Sequence, residues 1–353
     1  MGASRSGNSG SSILPILTIT NLVFTGFLLF APGSILLILQ PANLQYNRRK
    51  SMYDNDSKGF SYKAGFFMLI AFAVAGLIAA SLVSMQVWQL MTGTPFTEMQ
   101  EGMLNPANAG AMKVIQSLNA VLGFLVPTLA VAALIHKKPL TLLGFRGKIR
   151  PEQVGLAIVI VAAALLFSSS LSEITRMIPI PASWQLEFEK MESDYTRQVA
   201  AIVSLKNMGD YLLAIVVMAF LPALCEEAIF RGGLQNFLAR GTNSPWLAII
   251  LVSLLFSLAH VSFYGFLSRF MLGVVLGALY HYSGRLWLSV LAHFINNAAA
   301  LTALYVATRQ GKSMEEAMTE GPGSLWGLLA IPLLVALFYS YRRLSSRSLT
   351  RPW

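Results

Sequence analysis

Residues 208–240 read MGDYLLAIVVMAFLPALCEEAIFRGGLQNFLAR, an apolar run that contains Glu226, Glu227 and Arg231. A charged side chain at the centre of a membrane helix costs about 2.5–3.5 kcal/mol even on the scale that gives the smallest penalties. Such groups therefore pair with one another, face a cavity and serve a function. We accordingly take these three residues as the starting point of a candidate functional site inside a membrane.

The whole chain has the composition of a membrane protein. Its 353 residues are 55% hydrophobic and only 12% charged, whereas soluble domains carry about 25% charged residues. The mean hydropathy is +0.60. Apolar segments lie at 13–40, 64–91, 111–135, 154–172, 208–240, 246–261, 264–282, 286–306 and 325–341. Because one crossing needs roughly 20 apolar residues, the sequence predicts an all-α polytopic transmembrane helical bundle of about 8–9 spans.

The charges of the connections predict the orientation of this bundle. Three connections are strongly basic, with five, five and four Lys or Arg residues: 41–63, 136–153 and 342–353. Three others have no basic excess: 92–110, 173–207 and 308–324. Basic connections remain in the cytoplasm, so the first set is predicted to be cytoplasmic and the second extracytoplasmic. The net charge of +10 follows largely from this bias, and we expect no nucleic-acid partner.

Two segments allow two interpretations each. The segment 13–40 contains Pro32 and Gly33, and is either one kinked span or a hairpin of two short pieces. The connection 173–207 is long and polar. Its middle part is either an amphipathic helix on the membrane surface or a solvated connector.

Two later apolar segments carry polar residues of their own, in the patterns Phe256-Ser-Leu-Ala-His260 and His293-Phe-Ile-Asn-Asn297. Along a helix, Glu226 and His260 each lie roughly 22 Å from the turn predicted at 241–245, so an antiparallel helix pair brings them level. His293 lies only roughly 13 Å beyond the next turn, so a tilted or broken helix is needed to bring it to the same depth.

Helical spacing groups these residues within their segments. Glu227 and Arg231 are four apart in the favourable acid-first order, and His293 and Asn297 are four apart on one face. Glu226 points about 100° away from Glu227. The arginine thus holds one carboxylate and leaves its neighbour free, an arrangement that gives two adjacent acids different roles.

Two carboxylates, two imidazoles and an amide around one cavity are suited to the activation of water. A glutamate and a histidine can hold a water molecule and take its proton, while a histidine and an asparagine amide can stabilise an oxyanion. Alternatively, Glu226, His260 and His293 are the candidate ligands of a metal such as Zn²⁺ that acidifies the water. Both routes lead to hydrolysis of an amide bond, and the first requires no cofactor.

The chain resembles the CPBP family of intramembrane proteases, also called the CAAX protease and bacteriocin-processing or ABI family. The resemblance rests on the three motifs above, in the family's order, over residues 226–297. It implies that Glu226 activates water together with His260, that His293 and Asn297 stabilise the oxyanion, and that Glu227 and Arg231 organise the site. It also implies a membrane-associated peptide or protein substrate, and family members are described both with and without a metal.

This resemblance completes the predicted organisation of the chain, an integral protein of a lipid bilayer that we expect to be the cytoplasmic membrane of a bacterium. Residues 1–12 form a flexible N-terminus, and 13–205 contain the N-terminal membrane helices and the outer connector. Residues 206–306 form the CPBP-type core. Residues 307–353 contain the last membrane helix and a basic cytoplasmic tail.

Other interpretations of these residues lead to other functions. An intramembrane set of Glu and His also suits a proton- or ion-coupled transporter, or a regulatory scaffold such as a bacteriocin self-immunity protein. The motifs H-E-x-x-H and G-x-G-D do not occur, and G-x-S-G occurs only at residues 7–10, in the polar N-terminus rather than in an apolar segment. Three other intramembrane protease mechanisms therefore lack their residues at membrane depth. The acidic neighbours of Cys225 disfavour a thiolate, and we expect this cysteine to be a packing residue.

Overall fold

The computed structural model of the protein describes residues 56–203, 205–319 and 325–346. Within these ranges the chain forms helices and one isolated bridge, between Ser57 and His136, but no β-strand. The principal helices are α1 (Tyr62–Thr92), α2 (Pro106–Ile135), α3 (Pro151–Arg176), α4 (Ala182–Ile202), α5 (Met208–Thr242), α6 (Pro245–Leu258), α7 (Phe266–Ser283), α8 (Leu286–Arg309), α9 (Met314–Thr319) and α10 (Leu325–Ser345). The predicted all-α helical bundle is confirmed.

Six helices of the described part are long and apolar enough to cross a membrane: α1, α2, α3, α5, α8 and α10. The protein is therefore an integral membrane protein. Helices α6 and α7 coincide with two further predicted segments, but α6 has only 14 residues and α7 includes Arg269. The segment 13–40 lies outside the described residues. The total of 8–9 spans consequently stays a prediction.

The two turns from which the depths of Glu226, His260 and His293 were predicted are present. Helix α5 ends at Thr242, where Asn243 adopts a left-handed conformation with φ of 54°, and Pro245 is the first residue of α6. Helix α7 ends at Gly284, which has φ of 63° and donates its N–H to the carbonyl of Tyr280 at 2.7 Å. Glycine and asparagine tolerate this backbone conformation better than other residues. Tight reversals thus join α5 to α6 and α7 to α8.

Helices α2 and α5 contain π-helical stretches, at Val121–Leu125, Ile215–Phe220 and Ala228–Gln235. The first two directly precede a turn that contains Pro127 or Pro222. Proline lacks an N–H group and its ring crowds the carbonyl four residues earlier, so the preceding backbone widens. The third stretch begins immediately after the acidic pair. Wide turns of this kind are frequent at functional sites.

Two large apolar clusters hold the bundle together. One joins α1, α2, α5 and α6 and includes Leu69, Phe237 and Phe256. The other joins α3, α7, α8 and α10 and includes Ile160 and Leu279. Helices α5 to α8 lie between the two clusters, so polar side chains on their facing surfaces are enclosed by apolar packing rather than exposed to lipid.

Candidate active site

The ion pair predicted in α5 is present and completely enclosed. The side chains of Glu227 and Arg231 are 0% and 1% exposed, and Nη1 of Arg231 donates to Oε1 of Glu227 at 2.5 Å. Nη2 of Arg231 donates to the carbonyl oxygen of Gly273 in α7 at 3.3 Å. A buried charge needs both a counter-ion and hydrogen-bond partners. This arrangement supplies both and anchors α5 to α7.

The polar face of α5 continues at Gln235, which the sequence analysis did not single out. Its Nε2 donates to the carbonyl oxygen of Gly277 at 3.0 Å, one helical turn beyond the Gly273 contact. A Cβ atom on Gly277 would lie 2.7 Å from Oε1 of Gln235, so a larger residue there would require the Gln235 side chain to shift. The sequence contains a signal for this contact, because two glycines four residues apart on an apolar helix, here Gly273 and Gly277, indicate close helix packing.

His293 bridges the two adjacent acids from helix α8. Its Nδ1 lies 2.9 Å from Oε1 of Glu227, and its Nε2 lies 3.9 Å from Oε2 of Glu226. Because the Glu227 carboxylate can only accept, Nδ1 is the donor and Nε2 faces Glu226. His293 thus lies at the same depth as the two glutamates, although the sequence alone placed it several ångströms nearer to its turn. The wider π turns between Glu227 and the end of α5 take more residues per turn, so the chain advances less along its axis.

Glu226 and Glu227 occupy different environments, as the spacing predicted. The Glu226 side chain is 19% exposed, whereas that of Glu227 is 0% exposed. The Oε2 atoms of both acids lack a hydrogen-bond partner among the described residues, but Oε1 of Glu227 is bound by Arg231 and by His293. Glu227 is therefore held within an ion-pair network, whereas Glu226 is the more exposed acid at its edge.

Phe256 lies between the histidines and the arginine. Its side chain is 1% exposed, and its ring centroid lies 4.7 Å from that of His260 and 5.7 Å from that of His293. Cζ of Arg231 lies 4.6 Å from the same ring. Phe256 therefore packs against His260 from one helical turn earlier. This one aromatic ring separates His260 from the ion-pair network and fixes the distance between them.

The turn that carries His260 is held in an unusual conformation. His260 Nδ1 donates to the carbonyl oxygen of Phe256 at 2.7 Å, so a neutral imidazole keeps Nε2 free to accept. The next residue, Val261, has φ of 45°, which is an outlier for a β-branched side chain. Strained backbone of this kind costs about 1–3 kcal/mol and persists only where its surroundings determine it. The hydroxyl of Ser257 provides such a restraint by donating to the Phe266 carbonyl at 2.6 Å.

Helix α4 covers this turn. The helix coincides with the amphipathic segment of the long connector, so the predicted helix is present; its position on a membrane surface stays a prediction. The ring of Phe188 stacks on that of Phe263 at 4.3 Å with an interplanar angle of 4°. The hydroxyl of Ser262 donates to Oε2 of Glu192 at 3.0 Å. The residues beside His260 are therefore packed under a helix that the sequence analysis did not connect with the site.

Asn297 lies one helical turn after His293 and is partly buried. Its Oδ1 accepts a hydrogen bond from Nδ2 of Asn296 at 3.2 Å. That contact occupies the acceptor end of the Asn297 amide and leaves its N–H groups available to donate. Within the described residues no hydrogen bond joins Asn297 to the glutamates.

The structure thus brings the six predicted residues together to different degrees. Glu226, Glu227, Arg231 and His293 are in direct ionic or hydrogen-bond contact. His260 is connected to them through Phe256, and Asn297 through helix α8. Their catalytic roles stay predictions.

The proposed metal ligands do not form a three-ligand set in this arrangement. No group of three or more His, Cys, Asp or Glu side chains suited to a metal ion occurs in the described part of the chain. Glu226 and His293 approach each other, whereas the Phe256 ring lies between His260 and His293. The three side chains therefore do not meet around one point in this arrangement. Cys225 is buried and consistent with the packing role expected for it.

The motif-bearing helices match a known family. Residues 208–299 fit the family model of the Rce1-like type II CAAX prenyl endopeptidases. Residues 208–299 are Rce1-like. The predicted resemblance to the CPBP family is thereby confirmed over this segment, which contains all six predicted site residues.

A similar segment occurs in an Escherichia coli protein described as an uncharacterized 24.3 kDa protein. The two are 34% identical over 92 residues, which is 25% of this chain and 42% of the E. coli protein. The alignment thus spans less than half the length of that relative. No solved structure matches the chain significantly.

Proposed function

We propose that the chain is an intramembrane endopeptidase of the CAAX-protease type, which hydrolyses a peptide bond with water activated by Glu226 and His260. The observation that carries the proposal is the contrast between the adjacent acids. Oε1 of Glu227 is bound by both Arg231 and His293. Oε2 of Glu226 has no hydrogen-bond partner among the described residues and lies 3.9 Å from Nε2 of His293. A carboxylate oxygen that is close to an imidazole but not held by a hydrogen bond is suited to general-base catalysis.

In the proposed first step, Oε2 of Glu226 takes one proton from a water molecule. Nε2 of His260 accepts a hydrogen bond from the other O–H group of the same water molecule. The water oxygen attacks the scissile carbonyl carbon, and the carbonyl electron pair moves onto its oxygen. The resulting tetrahedral oxyanion collapses, the C–N bond breaks, and Glu226 returns its proton to the departing amine. The products are one new carboxylate and one new amine, and the enzyme regains its starting state.

The oxyanion is proposed to be stabilised by His293 and Asn297. His293 donates through Nδ1 to Glu227, so its protonated form presents a second N–H at Nε2. The Asn297 amide contributes the other donor, because Asn296 occupies its acceptor oxygen. Donors fixed before the reaction stabilise developing charge without having to reorganise. Arg231 and Glu227 are positioning residues in this scheme, since they hold His293 rather than contact the substrate.

The substrate is proposed to be a membrane-associated peptide or protein, and the location to be the cytoplasmic membrane of a bacterium. The description of the matched family refers to type II CAAX prenyl endopeptidases. For this chain we propose only the reaction class and a substrate segment that enters the membrane, because the matched segment is a quarter of its length.

The test is cleavage of a membrane-peptide library by the purified protein and by Glu226→Gln, each with and without a strong chelator. We expect cleavage by the wild type alone, unchanged by the chelator. Loss of cleavage on chelation, restored by Zn²⁺, would replace the water-activation scheme with a metal-dependent one. Failure of the folded wild type to cleave any peptide would favour the transporter or scaffold function.

Asn297→Ala is expected to lower kcat by about 10²–10³-fold, because one oxyanion donor is lost. Asn296→Ala is expected to lower kcat less and to leave KM unchanged, since it removes only the hydrogen bond that orients the Asn297 amide. Thr302→Ala, on the same helix but partnered with Tyr211, is the matched control. Initial-rate kinetics separate the two parameters. A rise in KM with unchanged kcat in Asn297→Ala would assign this residue to substrate binding instead.

A further inference from the structure

A concave site lies on the opposite side of α7 from the ion-pair network. It is a groove of about 470 Å³ between α7 and α10. Its walls include Met271, Val275 and Ala278 from α7 and Leu334 and Phe338 from α10. The glycines that accept from Arg231 and Gln235 lie on another face of α7. The groove is thus separate from the candidate active site.

One end of this groove has a different chemistry from the rest. Trp246, Tyr282, Tyr339 and Arg342 line it there, and Cζ of Arg342 lies 5.9 Å from the centroid of the Tyr282 ring. This is the end at which α6 begins and α7 and α10 finish. Trp and Tyr side chains collect at the boundary between lipid headgroups and hydrocarbon. The groove therefore runs from a headgroup-like end into an apolar interior.

The charge at that end is positive, because Arg342 lines the groove and Arg343 follows it in α10. Loop-charge bias predicts that this end of α10 faces the cytoplasm. Basic pockets between membrane helices on this side are suited to anionic lipid headgroups. From Met271 to Tyr282 the groove extends roughly 16 Å along α7, a length suited to a hydrocarbon chain.

We infer that this groove binds an anionic phospholipid, with an acyl chain between α7 and α10 and the phosphate beside Arg342. The phosphate oxygens accept from the guanidinium, and the aromatic side chains surround the glycerol region. An apolar peptide or a second copy of the chain would fill the walls but would leave the positive end without a counter-charge. This inference does not depend on the proposed protease function.

The test places a photo-reactive phenylalanine analogue at Val335, which lines the groove and is 66% exposed. The same analogue at Leu82 in α1, an apolar position 60% exposed, is the control. Both proteins are reconstituted in bilayers of mixed phosphatidylglycerol and phosphatidylcholine, irradiated and weighed by mass spectrometry. We expect phosphatidylglycerol adducts at Val335 to exceed the bilayer proportion about fivefold, and adducts at Leu82 to match that proportion.

Arg342→Gln is expected to remove the enrichment at Val335, whereas Arg150→Gln, at the same predicted membrane face, should preserve it. Ala278→Phe fills the groove and should reduce all lipid adducts at Val335, which provides a second variant if Arg342→Gln does not fold. Adducts in bulk proportion at Val335 would overturn the inference. Cross-links to a second copy or within the chain would overturn it as well, because a protein segment would then occupy the groove.

Discussion

Glu226→Gln is expected to reduce peptide cleavage by about 10²–10⁴-fold, the range that a general base contributes. The substitution keeps the size of the side chain and removes the group that takes the proton from water. Because Glu226 is not part of the Arg231 hydrogen bond, the folded protein should retain its Tm. Cleavage rates and thermal unfolding, measured on the same purified sample in detergent, check both statements.

The adjacent acid provides a matched control. Glu227→Gln makes the same chemical change one residue along the chain, but it removes the counter-ion of Arg231 and a hydrogen-bond partner of His293. We expect this variant to lose stability as well as activity. The contrast between the two variants is the informative result. Normal turnover by Glu226→Gln would rule out the proposed base, and equal losses of Tm would show that both acids are structural.

Arg231→Ala is expected to lower the free energy of unfolding by about 3–5 kcal/mol, the usual effect of breaking a buried ion pair. The change leaves the Glu227 carboxylate without a counter-ion and removes the guanidinium that packs on Phe256. Activity should fall together with stability, because Glu227, the hydrogen-bond partner of His293, is no longer held in place by the arginine. Unfolding by denaturant in detergent micelles measures the first effect, and cleavage of a library-derived substrate measures the second.

Two further variants separate charge from packing. The double substitution Glu227→Gln with Arg231→Met removes both charges, and we expect it to recover much of the stability but not the activity. Arg150→Ala, which breaks an exposed pair with Glu152, should change stability by about 1 kcal/mol or less. An unchanged unfolding curve for Arg231→Ala would mean that this arginine extends to the membrane surface rather than pairing at depth.

Residue spacing along the chain was sufficient to predict the helices, the ion pair within α5 and the turn that follows it. The all-α bundle follows from apolar segments of membrane-spanning length, and the Glu227–Arg231 pair follows from four-residue spacing on a helix. The reversal near Asn243 follows from residues that tolerate a left-handed backbone. Each of these outcomes is determined by residues close together in the chain, where sequence patterns carry the most information.

The remaining features depend on how distant segments meet. The contact of His293 with both acids joins residues 66 positions apart, and helical periodicity fixes the face of each helix but not its rotation against another. The docking of α4 beside His260 depends on the stacking of Phe188 on Phe263, two aromatic residues in separate connections. The contact of Asn296 with Asn297 was missed because adjacent residues on a helix point about 100° apart.

The π-helical stretch Ala228–Gln235 makes the length of α5 part of the site. A π turn can be regarded as an α-helix with one added residue, and each residue of an α-helix corresponds to a rotation of about 100°. Deleting one residue from this stretch would let the helix close regularly and would leave the segments on either side roughly in phase. Deleting one residue from the regular turns Asn236–Thr242 would rotate the acidic pair and Gln235 by about 100° relative to the Asn243 turn, so that they could no longer face α7 and α8. No side-chain substitution would restore that phase, so the regular turns should resist a deletion more strongly than the π-helical stretch does.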